Sequence, residues 1–221
     1  MTALAPPATI AFLGLGMMGR PMARRLVEAG FKLRVFDVSQ KAVSDFVGAH
    51  PSALATASAK AAAEGADALI TMLPDGKIVR QAVLEGRDAA VEGLQAGALV
   101  LDMSSSNPVD TQKLVRDLAG RGVALLDAPV SGGVRRAVDG SLSIMVGGAA
   151  ADLERVRPIF GAMGKTITLC GPAGAGHALK ALNNYLSAAG LVAMCEALVV
   201  GEAFGLDPGV MVDVFNSSTG K

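Results

Sequence analysis

Apolar residues along this chain come in short runs separated by longer stretches of helical periodicity. Thr9-Ile10-Ala11-Phe12-Leu13 is the first run and ends in glycine; residues 17–29 follow as a helix that Gly30 stops. Further strand-like runs stand at residues 32–36, 68–73, 99–102, 124–127, 141–146 and 166–169. Helical stretches fall between them, near residues 40–47, 57–64, 78–84, 108–119 and 153–163, with Pro108 suited to a first turn. Short apolar runs alternating with amphipathic helices predict a parallel sheet covered on both faces, an α/β doubly wound arrangement.

The pattern changes at Gly171-Pro172-Ala173-Gly174-Ala175-Gly176, the best boundary in the chain. Beyond it, residues 177–204 read as one long helix and residues 208–215 as another, with no further strand signal. Two domains are therefore expected: residues 1–172, and residues 173–221 as the start of an all-helical second domain. The apolar run at residues 185–201 is short for a membrane span and contains Glu196, so it is expected to be a buried helix at a domain or subunit contact.

Composition narrows the function. Twenty basic and twenty acidic residues cancel, and aromatics are 4% of the chain, so neither a nucleic-acid nor a membrane partner is expected. The first nine residues carry no basic and apolar leader pattern. Cys170 and Cys195 fit no disulfide or zinc spacing and are expected to be buried thiols in a cytoplasmic, reducing setting.

The chemistry-bearing motifs follow the strands. Gly14-Leu15-Gly16-Met17-Met18-Gly19 lies between the first strand and first helix. The first glycine permits the turn, the second lets backbone approach a pyrophosphate, and the third lets helix pack on strand, making this a Rossmann-like unit. Asp37, after the second strand, can accept from the adenosine ribose hydroxyls and would repel a 2′-phosphate, which favours NAD, with NADP as the alternative. Ser131, Gly132 and Gly133 offer a hydroxyl and backbone N–H groups to an anion such as a substrate carboxylate. Leu73, Pro74 and Ser105 stand at strand ends, the rim where such sheets bind ligands. Lys180 and Asn184, at i and i+4 on the long helix, point the same way; a partly buried lysine suits proton transfer, with His177 as the runner-up base. His50, beside Pro51, reads as structural.

In this order the motifs resemble the β-hydroxyacid dehydrogenase family, which includes 3-hydroxyisobutyrate dehydrogenase. The matching stretches are residues 12–23, 72–74, 102–105, 127–133, 145–148 and 174–184. The resemblance implies Lys180 as the catalytic lysine and Asn184 as a substrate-holding residue, with Ser131, Gly132 and Gly133 as the carboxylate loop. It implies dinucleotide contacts from Gly14, Leu15, Gly16, Met17, Met18, Gly19 and Asp37, with Leu73, Pro74 and Ser105 nearer the nicotinamide. The implied reaction transfers a hydride between a small 3-hydroxy acid and NAD, in a homodimer or homotetramer. A semialdehyde reductase using NADPH, or an inactive dehydrogenase-like oligomerisation module, are the alternatives; imine reductases usually lack the lysine.

Two departures stand out. Arg136 replaces a glycine of many members, beside Arg135, and points either to a more anionic acid or to a surface feature. The chain also stops at Lys221, where members continue through more helices, so it is expected to be a fragment or a shortened protein.

Overall fold

The computed structural model describes residues 2–220. Its strands are β1 (Thr9–Leu13), β2 (Lys32–Phe36), β3 (Leu54–Ala55), β4 (Ala68–Thr71), β5 (Leu99–Asp102), β6 (Ala124–Asp127), β7 (Val130–Ser131), β8 (Leu142–Gly147) and β9 (Gly164–Gly171). Between them lie α1 (Gly19–Glu28), α2 (Gln40–Ala49), α3 (Ala59–Ala63), α4 (Gly76–Arg80), α5 (Pro108–Ala119), α6 (Gly133–Asp139) and α7 (Ala150–Met163); α8 (Ala175–Phe204) and α9 (Pro208–Ser217) follow. One sheet runs in the order β3-β2-β1-β4-β5-β6-β8-β7, with β9 beside β8. The order reverses between β1 and β4, the kind of position at which open α/β sheets bind ligands.

Successive residues of the central strands feed two different cores. Ile10, Phe12, Ile70, Leu99 and Leu101 pack with Met22, Phe46 and Phe160. Ala11, Leu13, Leu69 and Val100 face the other way, onto Val79, Val83, Leu114 and Leu118. A strand buried on both faces has no polar side to alternate with, which is why these runs read as continuously apolar.

The expected parallel pairing holds from β3 through β6 and ends at β8, which runs antiparallel to β6 and β7. A parallel return requires a crossover of about a dozen residues or more. The link through α6 is too short for that, and the chain doubles back. The segment at residues 127–133, expected as a loop, contains β7 and leads directly into α6. β3 pairs with β2 over only two residues, too few to leave a pattern. The helix expected near residues 78–84 is α4 followed by one π-helical turn, closed by the Gly86 N–H on the Gln81 carbonyl at 2.8 Å.

Two compact units divide within α8: one ends at Lys180 and the other begins at Ala181. In the second, Gly205 at φ +93° ends α8, and Asp207 caps α9 by accepting from the Val210 N–H at 3.0 Å. Gly201 leaves room for Met211 to pack on it.

The burial expected of the apolar run is not found in the single chain. Leu186 is 70% and Val200 69% exposed, so within the described residues no domain contact covers this run. By length and composition alone, Ala175–Ala203 could cross a membrane. Cys195 shares this uncovered surface and Cys170 is half-buried on edge strand β9, so neither is the fully buried thiol expected.

Candidate active site

The glycine loop leaves β1 and enters α1, and its three glycines meet different surroundings. A Cβ on Gly14, at φ +100°, would land on the Met72 carbonyl oxygen; one on Gly19 would land on the Gly14 carbonyl. Both are fixed by packing. A Cβ on Gly16 would meet no heavy atom within 4 Å. The fold gives Gly16 no reason to lack a side chain, whereas the approach of a pyrophosphate does. No side chain caps α1 and no acid stands in its first turn; the Arg20 N–H is taken by the Gly16 carbonyl and Pro21 has none, so it is chiefly the positive dipole end that remains for an anion.

Asp37 lies just past β2. Its Oδ2 accepts from the Leu15 N–H and its Oδ1 from the Ser39 N–H, each at 2.7 Å. The carboxylate is thereby tied to the glycine loop, with lone pairs left for ribose hydroxyls. These residues fit a dinucleotide with pyrophosphate at Gly16 and α1 and ribose at Asp37. Met17, 80% exposed, and Met18 form the turn between them.

At the ends of β4 and β5 a buried carboxylate organises the rim. Asp102 Oδ1 accepts from the Thr71 hydroxyl at 2.9 Å and the Ser104 N–H at 3.1 Å; Oδ2 accepts from the Ser106 hydroxyl at 2.8 Å. Ser104 Oγ in turn accepts from the Leu73 N–H at 2.9 Å. Leu73 and the loop carrying Ser105 are thus held together, with Ser105 and Pro74 exposed. Past β6, Ser131 ends β7, and Gly132 (φ +125°) and Gly133 (φ +64°) open α6 in a backbone region that side chains rarely enter. A Cβ on Gly132 would land on Arg136, whose exposed side chain lies back along that glycine.

The start of α8 is tied to the same rim. Asp127, fully buried at the end of β6, accepts from the Gly174 N–H at 2.7 Å and the His177 N–H at 2.9 Å. His177 Nε2 lies 3.1 Å from the Ser104 carbonyl, which only accepts, so Nε2 carries the proton. Its Nδ1 meets the Thr111 hydroxyl at 2.9 Å. The ring is 1% exposed and both nitrogens are engaged, so it reaches no substrate oxygen from this position. Lys180, one turn on, is half-buried, and burial pushes its ammonium below the ordinary lysine value. Asn184 is exposed one further turn along α8.

Contacts therefore run from Gly14 to Leu73, Leu73 to Ser104, Ser104 to His177 and His177 to Asp127, gathering most candidate residues at one sheet edge. Asn184 belongs to the second unit. Asp102, Asp127 and Thr111 organise the rim without having stood out as candidate residues in the sequence. Their one signal is an acid closing each of two apolar strands, Leu99–Asp102 and Ala124–Asp127.

Comparison with known proteins decides the family. The NAD binding domain of 6-phosphogluconate dehydrogenase matches residues 9–171, and the NAD-binding domain of NADP-dependent 3-hydroxyisobutyrate dehydrogenase matches residues 174–221. The chain belongs to the β-hydroxyacid dehydrogenase family. It is 44% identical to the NAD-dependent L-serine dehydrogenase of Pseudomonas aeruginosa, over 96% of this chain and 70% of that protein. To the 3-sulfolactaldehyde reductase of Escherichia coli it is 42% identical, with the same coverage. Among solved structures, the 3-hydroxyisobutyrate dehydrogenase of Mycobacterium tuberculosis with L-serine superposes at a TM-score of 0.87 and 40% identity, over 97% of this chain and 72% of that one. As a β-hydroxyacid dehydrogenase, the protein is an NAD(P)-dependent oxidoreductase of small hydroxy acids.

Proposed function

We propose that this dehydrogenase oxidises a small 3-hydroxy acid, reversibly, with Lys180 as the general acid/base. The observation that carries the reading is a half-buried lysine of lowered proton affinity on the helix tied to the rim of the glycine loop. Bound NAD supplies the hydride acceptor. Lys180, as the neutral amine, takes the hydroxyl proton while the C–O bond becomes a carbonyl, and returns it in the reverse direction. Ser131, Gly132 and Gly133 hold the carboxylate, Asn184 holds the reacting oxygen, and Asp37 selects NAD.

Lys180→Ala is expected to lower kcat by roughly 10²–10⁴-fold with the NAD dissociation constant nearly unchanged. Lys180→Arg gives no rescue, because a guanidinium does not deprotonate near neutral pH. Full turnover by Lys180→Ala would overturn the assignment.

Arg136, lying along Gly132, sets a positive charge beside the carboxylate loop and favours acids with a second polar or anionic group. Its test is kcat/KM across 3-hydroxyisobutyrate, L-serine and tartronate-type acids; Arg136→Gly should shift preference toward 3-hydroxyisobutyrate, and an unchanged ranking would remove Arg136 from specificity. The exposed apolar surface of α8 supports a homodimer or homotetramer. Two unpaired thiols suit a cytoplasmic setting.

A further inference from the structure

We propose that Asp127 is a positioning residue for Lys180, acting as a remote cap on the first turn of α8. This rests on the assignment of Lys180 as the acid/base. The first N–H groups of a helix need acceptors, and a Ser, Thr, Asp or Asn just before the helix ordinarily supplies one. Before α8 stand Gly171-Pro172-Ala173-Gly174, with no such side chain. The acceptor comes instead from β6: both oxygens of the Asp127 carboxylate take N–H groups of this turn, from Gly174 and His177, 47 and 50 residues away in sequence.

The origin of the cap matters. A local cap fixes a helix start relative to its own loop. One projecting from β6 fixes it relative to the sheet edge that carries the glycine loop and the carboxylate loop. The fit leaves little freedom, since a Cβ on Gly147 would land on Asp127 Oδ1 and one on Gly176 would come within 2.9 Å of Asp127 Oδ2. The buried His177 ring adds a second hold through Ser104 and Thr111, with its nitrogens 3.8 Å from the Asp102 and Asp127 carboxylates. Lys180 follows within one turn. Asp127 and His177 therefore fix the helix start, and with it the direction of Lys180, relative to the sheet edge.

A double-mutant cycle on the complete protein tests this, read as kcat with NAD and 3-hydroxyisobutyrate, or L-serine if that turns over faster. Asp127→Asn keeps the volume but turns one acceptor into a donor facing an N–H. It should lower kcat about 10–100-fold, as displacement of a reacting group does, with the NAD dissociation constant little changed. In a Lys180→Ala background the same change should have no further effect, because Asp127 acts through the amine that is gone. If the two losses multiply, or if Asp127→Asn alone leaves kcat unchanged, the proposal is overturned and Asp127 serves stability only. If Lys180→Ala alone leaves kcat unchanged, the acid/base assignment has failed instead. Should Asp127→Asn not fold, His177→Gln, which loosens the ring's hold and keeps the backbone N–H, takes its place in the cycle and is judged by the same outcomes.

Discussion

Gly14, Gly16 and Gly19 look equivalent as letters, yet a methyl group would meet a carbonyl oxygen at two of them and open space at the third. Gly19→Ala should therefore destabilise the fold. Gly16→Val should leave the melting temperature nearly unchanged and abolish NAD binding in a titration, and retained binding would move the pyrophosphate elsewhere. Lys180 carries a pH signature of similar specificity. Burial lowers its pKa below 10.5, so the neutral amine that oxidation needs forms at lower pH than for an exposed lysine. Oxidation should rise with pH through that pKa and reduction should fall, and Lys180→Ala should erase both limbs. Spacing nominated the glycines and Asp37, and the family resemblance nominated Lys180. Spacing could not reveal Asp102 or Asp127, because their partners are hydrogen-bond donors up to 50 residues away that only the folded sheet assembles.

Elements were readable where one periodicity lasted long enough. β5, β6 and α5 fall on the residues their patterns predict, with Pro108 opening α5 and Asn107 capping it. β7 and β3, two residues each, are defined by their neighbours and leave no pattern of their own. α6 opens on two glycines, which by composition read as loop. In α8 the apolar content was plain, but what covers it was not. If a second copy does, light scattering should find a dimer or tetramer. Leu186→Glu with Val200→Glu should shift it to smaller species while NAD binding persists, and a well-behaved monomer from the unaltered protein would refute the assembly.

Across the whole molecule, the sheet separates two cores that share strands but few side chains. Phe160→Ala in one and Leu118→Ala in the other should each cost about 2–5 kcal/mol in urea unfolding. Because the sites lie on opposite faces, their costs should add to within about 0.5 kcal/mol, and a larger deviation would mean that the sheet transmits strain between them. The anchoring of α8 has a mechanical consequence as well. With the helix start pinned at His177, the backbone of Lys180 sits about 4.5 Å along the axis from the fulcrum, at 1.5 Å per residue. A lever that short keeps the amine's aim when the helix tilts about that point.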